Sequence, residues 1–301
     1  MNNKLNSVFI TGSSGFIGKY LIKYFSSNIL FINYDKTIPV NIQEEFVLHL
    51  AGKAHDFKKT SNPDEYYRVN TDLTKKVFES FLVSDAKVFI TLSSVKAVAD
   101  EVEGILREDY IPLPITHYGR SKLLAEQYIL SQPIPEGKRV YILRPCMIHG
   151  PGNKGNLNLL FKIVSKGFPW PLGAFENKRS FCSIDNLCFI IKELFNNELI
   201  PSGVYNVADD EALSTNDLIK LIAVSQGKKY HIWNVSKFII KLLSKLGDLL
   251  KLQLNSERLN KLTESYIVSN KKIKTAINKP LPLSTQEGLM KTLNSFNTND
   301  K

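Results

Sequence analysis

Val8-Phe9-Ile10-Thr11-Gly12-Ser13-Ser14-Gly15-Phe16-Ile17-Gly18 joins a short apolar run, a glycine-punctuated turn and the start of a run with helical spacing. Each glycine has a separate job in such a strand-turn-helix. Gly12 permits the tight turn, and Gly15 lets backbone N–H groups approach a pyrophosphate at the helix N-terminus. Gly18 lets the helix pack closely on the sheet. The spacing is G-x-x-G-x-x-G, a weak signal alone. Its place between strand and helix at the start of the chain makes an ordinary glycine-rich loop the poorer reading.

Outward from this turn, short apolar runs alternate with helical patterns. Phe16 to Phe25, Asp72 to Leu82, Tyr118 to Ser131 and Asp185 to Phe195 carry helical spacing. Ile29 to Tyr34, Phe46 to Ala51, Lys87 to Leu92, Val140 to Leu143 and Gly203 to Val207 read as strands. Strands that are continuously apolar and separated by helices predict a parallel sheet covered on both faces, an α/β doubly wound fold. Residues 1–150, joined by 177–208, are expected to form the dinucleotide domain. Residues 151–176 and 209–301 form a smaller, mainly helical substrate domain.

Asp35 lies 23 residues beyond Gly12, at the end of the second strand. A carboxylate there accepts both adenosine ribose hydroxyls and repels a 2′-phosphate, which favours NAD while leaving NADP open. The bland alternative is a turn aspartate.

Tyr118-Gly119-Arg120-Ser121-Lys122 puts a phenol and an ammonium four residues apart, on one helix face. A free tyrosine titrates near pH 10, and a nearby cation lowers that toward the working range of an acid or base. Lys122 also suits the nicotinamide ribose. Ser93-Ser94 ends a strand at the carboxyl edge where open α/β sheets bind ligands. A serine there can hydrogen-bond the oxygen whose carbon exchanges hydride, or simply cap the next segment.

Together, in this order, these features resemble the extended short-chain dehydrogenase/reductase family, the NAD-dependent epimerase/dehydratases with a Rossmann sheet, over nearly the whole chain. Thr11-Gly12-x-x-Gly15-Phe16-Ile17-Gly18 is similar to the family's cofactor motif, with Ser14 inside it. His49-Leu50-Ala51-Gly52 and Val69-Asn70 are similar to two further signatures. Tyr118 to Lys122 matches its Y-G-x-S-K. Arg144-Pro145 with His149-Gly150-Pro151-Gly152 resembles its R-P-x-x-x-Y-G-P-G, with His149 in place of tyrosine.

The resemblance implies that Tyr118 is the general acid/base, Lys122 its partner and Ser94 the group that polarises the substrate, beside Ser93. Leu50, Ala51, Gly52 and Asn70 are implied to line the cofactor site. Arg179 in Arg179-Ser180-Phe181 is implied to hold a nucleotide-sugar pyrophosphate, as its fork donates paired hydrogen bonds, and Asn156 to belong to a substrate loop. It also implies a homodimer through the helix bearing Tyr118.

The departures are specific. Only 11 residues separate Tyr34 from Phe46, so the third strand is cut down, and Pro39-Val40-Asn41-Ile42 is its expected remnant. Val95 and Lys96 stand where the dehydratases carry Asp-Glu, which disfavours water elimination. Ser93-Ser94-Val95-Lys96, Trp170-Pro171-Leu172-Gly173 and Asn177-Lys178-Arg179-Ser180 resemble the branch that reduces UDP-4-keto-6-deoxy-N-acetylhexosamines for surface polysaccharides. A UDP-hexose 4-epimerase is the alternative, and a non-catalytic NAD sensor a third reading.

The composition is that of a globular chain, with 43% hydrophobic and 23% charged residues in 301. Three cysteines, Cys146, Cys182 and Cys188, are too few and scattered for a disulfide framework or a zinc site. No metal is expected. The polar N-terminus does not read as a signal peptide and no run reaches bilayer-spanning length, so a cytoplasmic protein is expected.

The net charge of +10 is unevenly spread. Residues 217–301 hold fifteen Lys and Arg against six Asp and Glu, a net +9, which leaves +1 for the first 216. No helix-turn-helix, zinc or stacking-aromatic signature accompanies these lysines, so nucleic acid is not expected. Between Ser236 and Leu252, Lys237, Lys241 and Lys245 recur opposite Ile239, Leu242, Leu243, Leu246, Leu249 and Leu250. The expected arrangement buries the leucine face and solvates the lysines. The alternative lays the helix on an anionic membrane as a peripheral contact.

Overall fold

The computed structural model describes residues 6–25, 29–34, 40–54, 62–153, 155–250 and 255–298. Asp35, Pro39, His55 and the end of the Ser236 to Leu252 run lie outside them. In chain order, β1 (Asn6–Thr11) leads into α1 (Phe16–Phe25), followed by β2 (Ile29–Asn33) and β3 (Phe46–His49). One helical stretch then joins α2 (Asp64–Tyr67), a π-turn over Arg68–Asp72, and α3 (Leu73–Val83). Next come β4 (Val88–Leu92), β5 (Ile105–Leu106), α4 (His117–Ser131), β6 (Arg139–Pro145) and β7 (Met147–His149). They are followed by α5 (Asn156–Ser165), β8 (Phe181–Ser183), α6 (Ile184–Asn196) and β9 (Gly203–Val207). The remainder is α7 (Thr215–Ser225), α8 (Lys237–Leu249), α9 (Ser256–Thr263), β10 (Ile267–Val268), α10 (Lys271–Ile277) and α11 (Thr285–Thr298).

Six strands form one parallel sheet in the order β2-β1-β3-β4-β6-β9. Alternate side chains along each strand feed two cores. Val8, Ile10, Leu48, Ile90 and Leu143 meet α1 and α6 through Leu21, Phe25, Leu187 and Ile191. Phe9, Val47, Phe89 and Ile142 meet α3 and α4 through Val77, Phe78, Phe81 and Ile129 on the other face. Each such side chain, fully buried, contributes about 1.5–3 kcal/mol. That two-sided burial is why the strands read as continuous apolar runs, and it gives the doubly wound Rossmann-like α/β fold.

The shortened region before β3 has a structural consequence. The 11 residues between Tyr34 and Phe46 carry the chain back from β2 to β3 but cannot also supply a further strand with a crossover helix on each side of it. The described part of the expected third-strand remnant, residues 40–42, is irregular, with Ile42 buried against the α3 side. β2 therefore forms the sheet edge and leaves Leu30 and Ile32 exposed.

The C-terminal region is helical, as expected. A separate core links α5, α7, α9 and α11 through Leu160, Phe161, Leu218, Ile222, Leu259, Leu289 and Leu293. The two-stranded pair β10-β5 ties this region back to the loop after β4, and β7-β8 does so near the end of β6. No helix among the described residues is long and apolar enough to cross a membrane.

Helix α8 corrects one expectation. Its buried residues are Ile240, Ser244 and Gly247, not the leucine face. Ile239, Leu242, Leu243, Leu246, Leu249 and Leu250 are all exposed. The small Ser244 and Gly247 let the helix lie close on the domain through a narrow strip, and this rotates the leucines outward.

Candidate active site

The turn after β1 lies where the strand order reverses, between β1 and β3. Ligands of open α/β sheets bind in the crevice at that switch point. Gly12 has φ +74°, and a Cβ there would come within 2.6 Å of Ala51 N and 2.8 Å of Leu50 C. The turn and the Leu50-Ala51-Gly52 segment thus touch, which only glycine allows. Thr11 fixes the contact: its hydroxyl meets His49 Nδ1 at 2.7 Å and accepts from Ala51 N at 3.1 Å. His49 Nε2 meets Thr74 Oγ1 at 2.9 Å, so His49 is a buried spacer between β3 and α3. Burial pushes its pKa down to about 3 and keeps it neutral.

Ser14 and Gly15 are exposed at the N-terminus of α1, with Phe16 and Ile17 half-buried behind them. Gly15 N donates to the Gly12 carbonyl at 3.1 Å to close the turn. The first backbone N–H groups of the helix, over a turn with no room for a side chain, fit the pyrophosphate of a nicotinamide dinucleotide. Asn70 closes the other side of the crevice from within the π-turn, a feature frequent at functional sites. Its amide donates to the Lys53 carbonyl and to Ser121 Oγ at 3.0 Å each, and its Oδ1 accepts from Lys53 N at 2.8 Å.

Ser94, Tyr118 and Lys122 converge at the carboxyl end of β4. Ser94 caps the short turn Val95–Ala97, its hydroxyl accepting from Lys96 N at 3.2 Å. The same hydroxyl lies close enough to the Tyr118 phenol to favour its ionised form. Lys122 is buried and donates to the Leu92 carbonyl at 2.8 Å. Ser93 Oγ is buried with no hydrogen-bond partner among the described residues. Capping and substrate contact are thus compatible roles for this serine pair.

The geometry modifies the electrostatics expected from the sequence. Burial pushes the Tyr118 phenol up, against a lowering contribution from Ser94, and Lys122 is not among the groups acting on it. Burial instead pushes Lys122 down to about 8, with Glu126 opposing. The ammonium is held at the Leu92 carbonyl.

Helix α4 is positioned by three devices. Thr116 caps it, accepting from Gly119 N at 3.1 Å. A Cβ on Gly119 would meet Lys96 O at 2.3 Å, so glycine lets the helix start against the Ser94 turn. Arg144 on β6 holds Glu126 with both carboxylate oxygens, at 3.0 Å and 3.1 Å from Nε and 2.5 Å from Nη2. Both residues are buried, and a paired, hydrogen-bonded ion pair is the form in which burial is tolerated.

Arg179 is half-buried on the C-terminal side. Its Nε donates to the Glu264 carbonyl at 2.9 Å, and Nη2 lies 3.9 Å from the Glu264 carboxylate. Asn156 opens α5, but its side chain lies outside the described residues.

Two further residues at the site were not named as site residues from sequence. Lys96 Nζ donates to the Asp100 carbonyl at 2.5 Å and lies 4.2 Å from the Tyr266 ring centroid. Burial pushes it down, and Arg179 is close enough to add to that lowering against nearby carboxylates. Tyr66 presents its ring 6.4 Å from that of Tyr118. Its spacing of four from Asn70 on one helical stretch was the available signal.

Cys182 and Cys188 are buried and Cys146 is partly so, and burial pushes all three thiols up, away from reactivity.

The chain is similar over most of its length to known proteins. A UDP-glucose 4-epimerase of Vibrio cholerae is 29% identical over 96% of this chain and 95% of its own. A GDP-6-deoxy-D-mannose reductase of Pseudomonas aeruginosa is 27% identical over 72% of this chain and 79% of its own. Among solved structures, MoeE5 in complex with UDP-glucuronic acid and NAD superposes with a TM-score of 0.73 at 19% identity, covering 97% of this chain and 99% of that one. The family model described as NAD dependent epimerase/dehydratase family matches residues 32–208. The chain is an enzyme that belongs to the NAD-dependent epimerase/dehydratase family, the nucleotide-sugar epimerases and reductases that work with a nicotinamide dinucleotide.

Proposed function

We propose that the chain is a UDP-sugar C4 oxidoreductase that reduces the C4 ketone of a UDP-6-deoxy-N-acetylhexosamine for surface polysaccharide. The observation that carries the oxidoreductase part of this reading is the convergence of Ser94, Tyr118 and Lys122 at the carboxyl end of β4, beside the switch-point crevice. The choice of reduction rests on the resemblance of Ser93-Ser94-Val95-Lys96, Trp170-Pro171-Leu172-Gly173 and Asn177-Lys178-Arg179-Ser180 to the reductase branch.

When bound, the nicotinamide supplies hydride to C4, or takes it in the reverse direction. The chain's own work is binding and proton transfer. Gly12, Ser14, Gly15, Phe16 and Ile17 would hold the pyrophosphate, with Leu50, Ala51, Gly52 and Asn70 along the crevice. Asp35, outside the described residues, would take the ribose hydroxyls and select NAD over NADP. Burial keeps the Tyr118 phenol protonated at neutral pH, so the resting enzyme holds the acid that reduction needs. Tyr118 would give that proton to the C4 oxygen while Ser94 hydrogen-bonds the same oxygen. Lys122 would bind the nicotinamide ribose, and its pKa of about 8 places it where it can supply a proton for the return of the phenol to its acid form. Arg179 and Lys96 would share the substrate diphosphate, with Ser93 and Asn156 nearer the sugar. The expected homodimer would form on α4, where Leu124 and Leu130 are exposed.

A 4-epimerase is the second reading, favoured by the near full-length similarity to the Vibrio cholerae enzyme. Incubation with UDP-4-keto-6-deoxy-N-acetylhexosamine and with UDP-glucose, following NADH absorbance and products, separates the two. Net NADH consumption on the keto sugar supports reduction. Interconversion of UDP-hexoses without net consumption supports epimerisation, and inertness toward both contradicts the proposed substrate class.

A further inference from the structure

Helix α8 presents three distinct faces. Ile240, Ser244 and Gly247 are buried against the domain. Lys237, Lys241, Lys245 and Asp248 occupy a second strip. Phe238, Ile239, Leu242, Leu243, Leu246 and Leu249 form the third, from 46% to 78% exposed, and Leu250 extends it at 64%. At 3.6 residues per turn the centre of this apolar strip lies roughly 130° around the helix from the buried one, so it faces away from the protein. Trp233 and Tyr230, just before the helix, are also exposed.

A contiguous apolar strip of this kind marks a binding surface. Its charge identifies the partner. Lys241 and Lys245 have no acidic partner within ion-pair distance among the described residues. The one acid on this strip, Asp248, makes no ion pair with them among the described residues, its carboxylate accepting from Ser256 N at 3.0 Å and Ser256 Oγ at 2.5 Å. Three lysines against one carboxylate leave the strip net positive. Lys220, Lys261, Lys274, Lys279 and Lys291 pair with acids, whereas Lys237, Lys241 and Lys245 on α8 do not among the described residues, so the lysines bordering the leucines keep their charge available to an anionic surface. Protein–protein interfaces are depleted in lysine, and two copies meeting through α8 would bring like charges together. A bilayer surface takes both features: leucines enter the headgroup–acyl boundary, and lysines along the edge of the strip reach anionic headgroups.

We propose that α8 is an in-plane anchor that docks the enzyme on an anionic lipid bilayer. The test is flotation of the full-length protein with vesicles of phosphatidylcholine alone or mixed with phosphatidylglycerol. The expected result is recovery with the phosphatidylglycerol vesicles and release by high salt. Lys241→Gln with Lys245→Gln should weaken binding about 30-fold. Leu246→Gln with Leu249→Gln should abolish it. Neither pair touches the active site, so turnover on a soluble UDP-sugar and the far-ultraviolet spectrum should stay unchanged, which separates lost binding from lost folding. Absence of flotation with anionic vesicles would overturn the proposal. So would flotation that survives the leucine substitutions, or a dimer, detected by sedimentation, that those substitutions dissociate without any lipid binding.

Discussion

Around the sheet, large apolar side chains are held between layers. Phe78, Phe81 and Phe89 are fully buried, as are Leu21, Ile10 and Leu48 on the opposite face. In α8 the proportions reverse, with Ile240 buried and Leu242, Leu243 and Leu246 about half exposed. The two regions also differ in charge, close to neutral over residues 1–216 and +9 beyond. The contrast shows that apolar periodicity alone does not say which way a helix faces. The four inner strands of the sheet are fixed by neighbours on two edges and two faces, whereas α8 meets the rest of the protein along one narrow strip.

Four substitutions would break or sharpen this contrast. Ile240→Ala should destabilise the protein by about 2–5 kcal/mol, because it empties the strip that holds α8 down, and urea denaturation reads this directly. Gly119→Ala should cost about 1–3 kcal/mol and reduce turnover as well, since the added methyl meets the Lys96 carbonyl and moves α4 off the Ser94 turn. The readouts are thermal unfolding and kcat on the same preparation.

His49 gives a pH-dependent test of the sheet side. Its folded pKa is about 3, well below the ordinary value of 6.5. As pH falls through 6.5 the unfolded chain takes up a proton that the folded chain refuses until about pH 3. The contribution is therefore fully present above 6.5 and erodes toward pH 3 by up to about 1.4 kcal/mol per pH unit. Urea midpoints of His49→Gln should depend less on pH than those of the wild type between neutral pH and about pH 5. Smallest of all, Leu246→Ala should change stability by no more than about 0.5 kcal/mol, the range of an exposed position. A loss comparable to that of Ile240→Ala would mean that the outward face is packed.

Most of the sheet was legible, because two-sided burial forces apolar runs and the crossover helices have clear spacing. The predicted bounds of Phe16 to Phe25 and Gly203 to Val207 match α1 and β9. The π-turn that carries Asn70 was not legible, as its residues fit an ordinary helix and only the tertiary ties to Lys53 and Ser121 reveal it. At the site, the Y-x-x-x-K spacing correctly put Tyr118 and Lys122 on one helix. It could not show the Lys122 ammonium at the Leu92 carbonyl, because that contact spans thirty positions of chain. Lys96 stood out only as a missing dehydratase acid, and its neighbourhood with Arg179 and Tyr266 depends on distant segments. The outward turn of α8 rests on two small residues, Ser244 and Gly247, whose effect on orientation no periodicity encodes.

The proposed proton transfer depends most directly on Tyr118, so the decisive measurement is turnover of Tyr118→Phe together with its NADH affinity. Loss of the phenolic proton should lower kcat by about 10²–10⁴ on a UDP-4-keto sugar, or on UDP-hexose interconversion, while NADH titration stays within a few-fold of wild type. A Tyr118→Phe enzyme with full turnover would contradict the assignment.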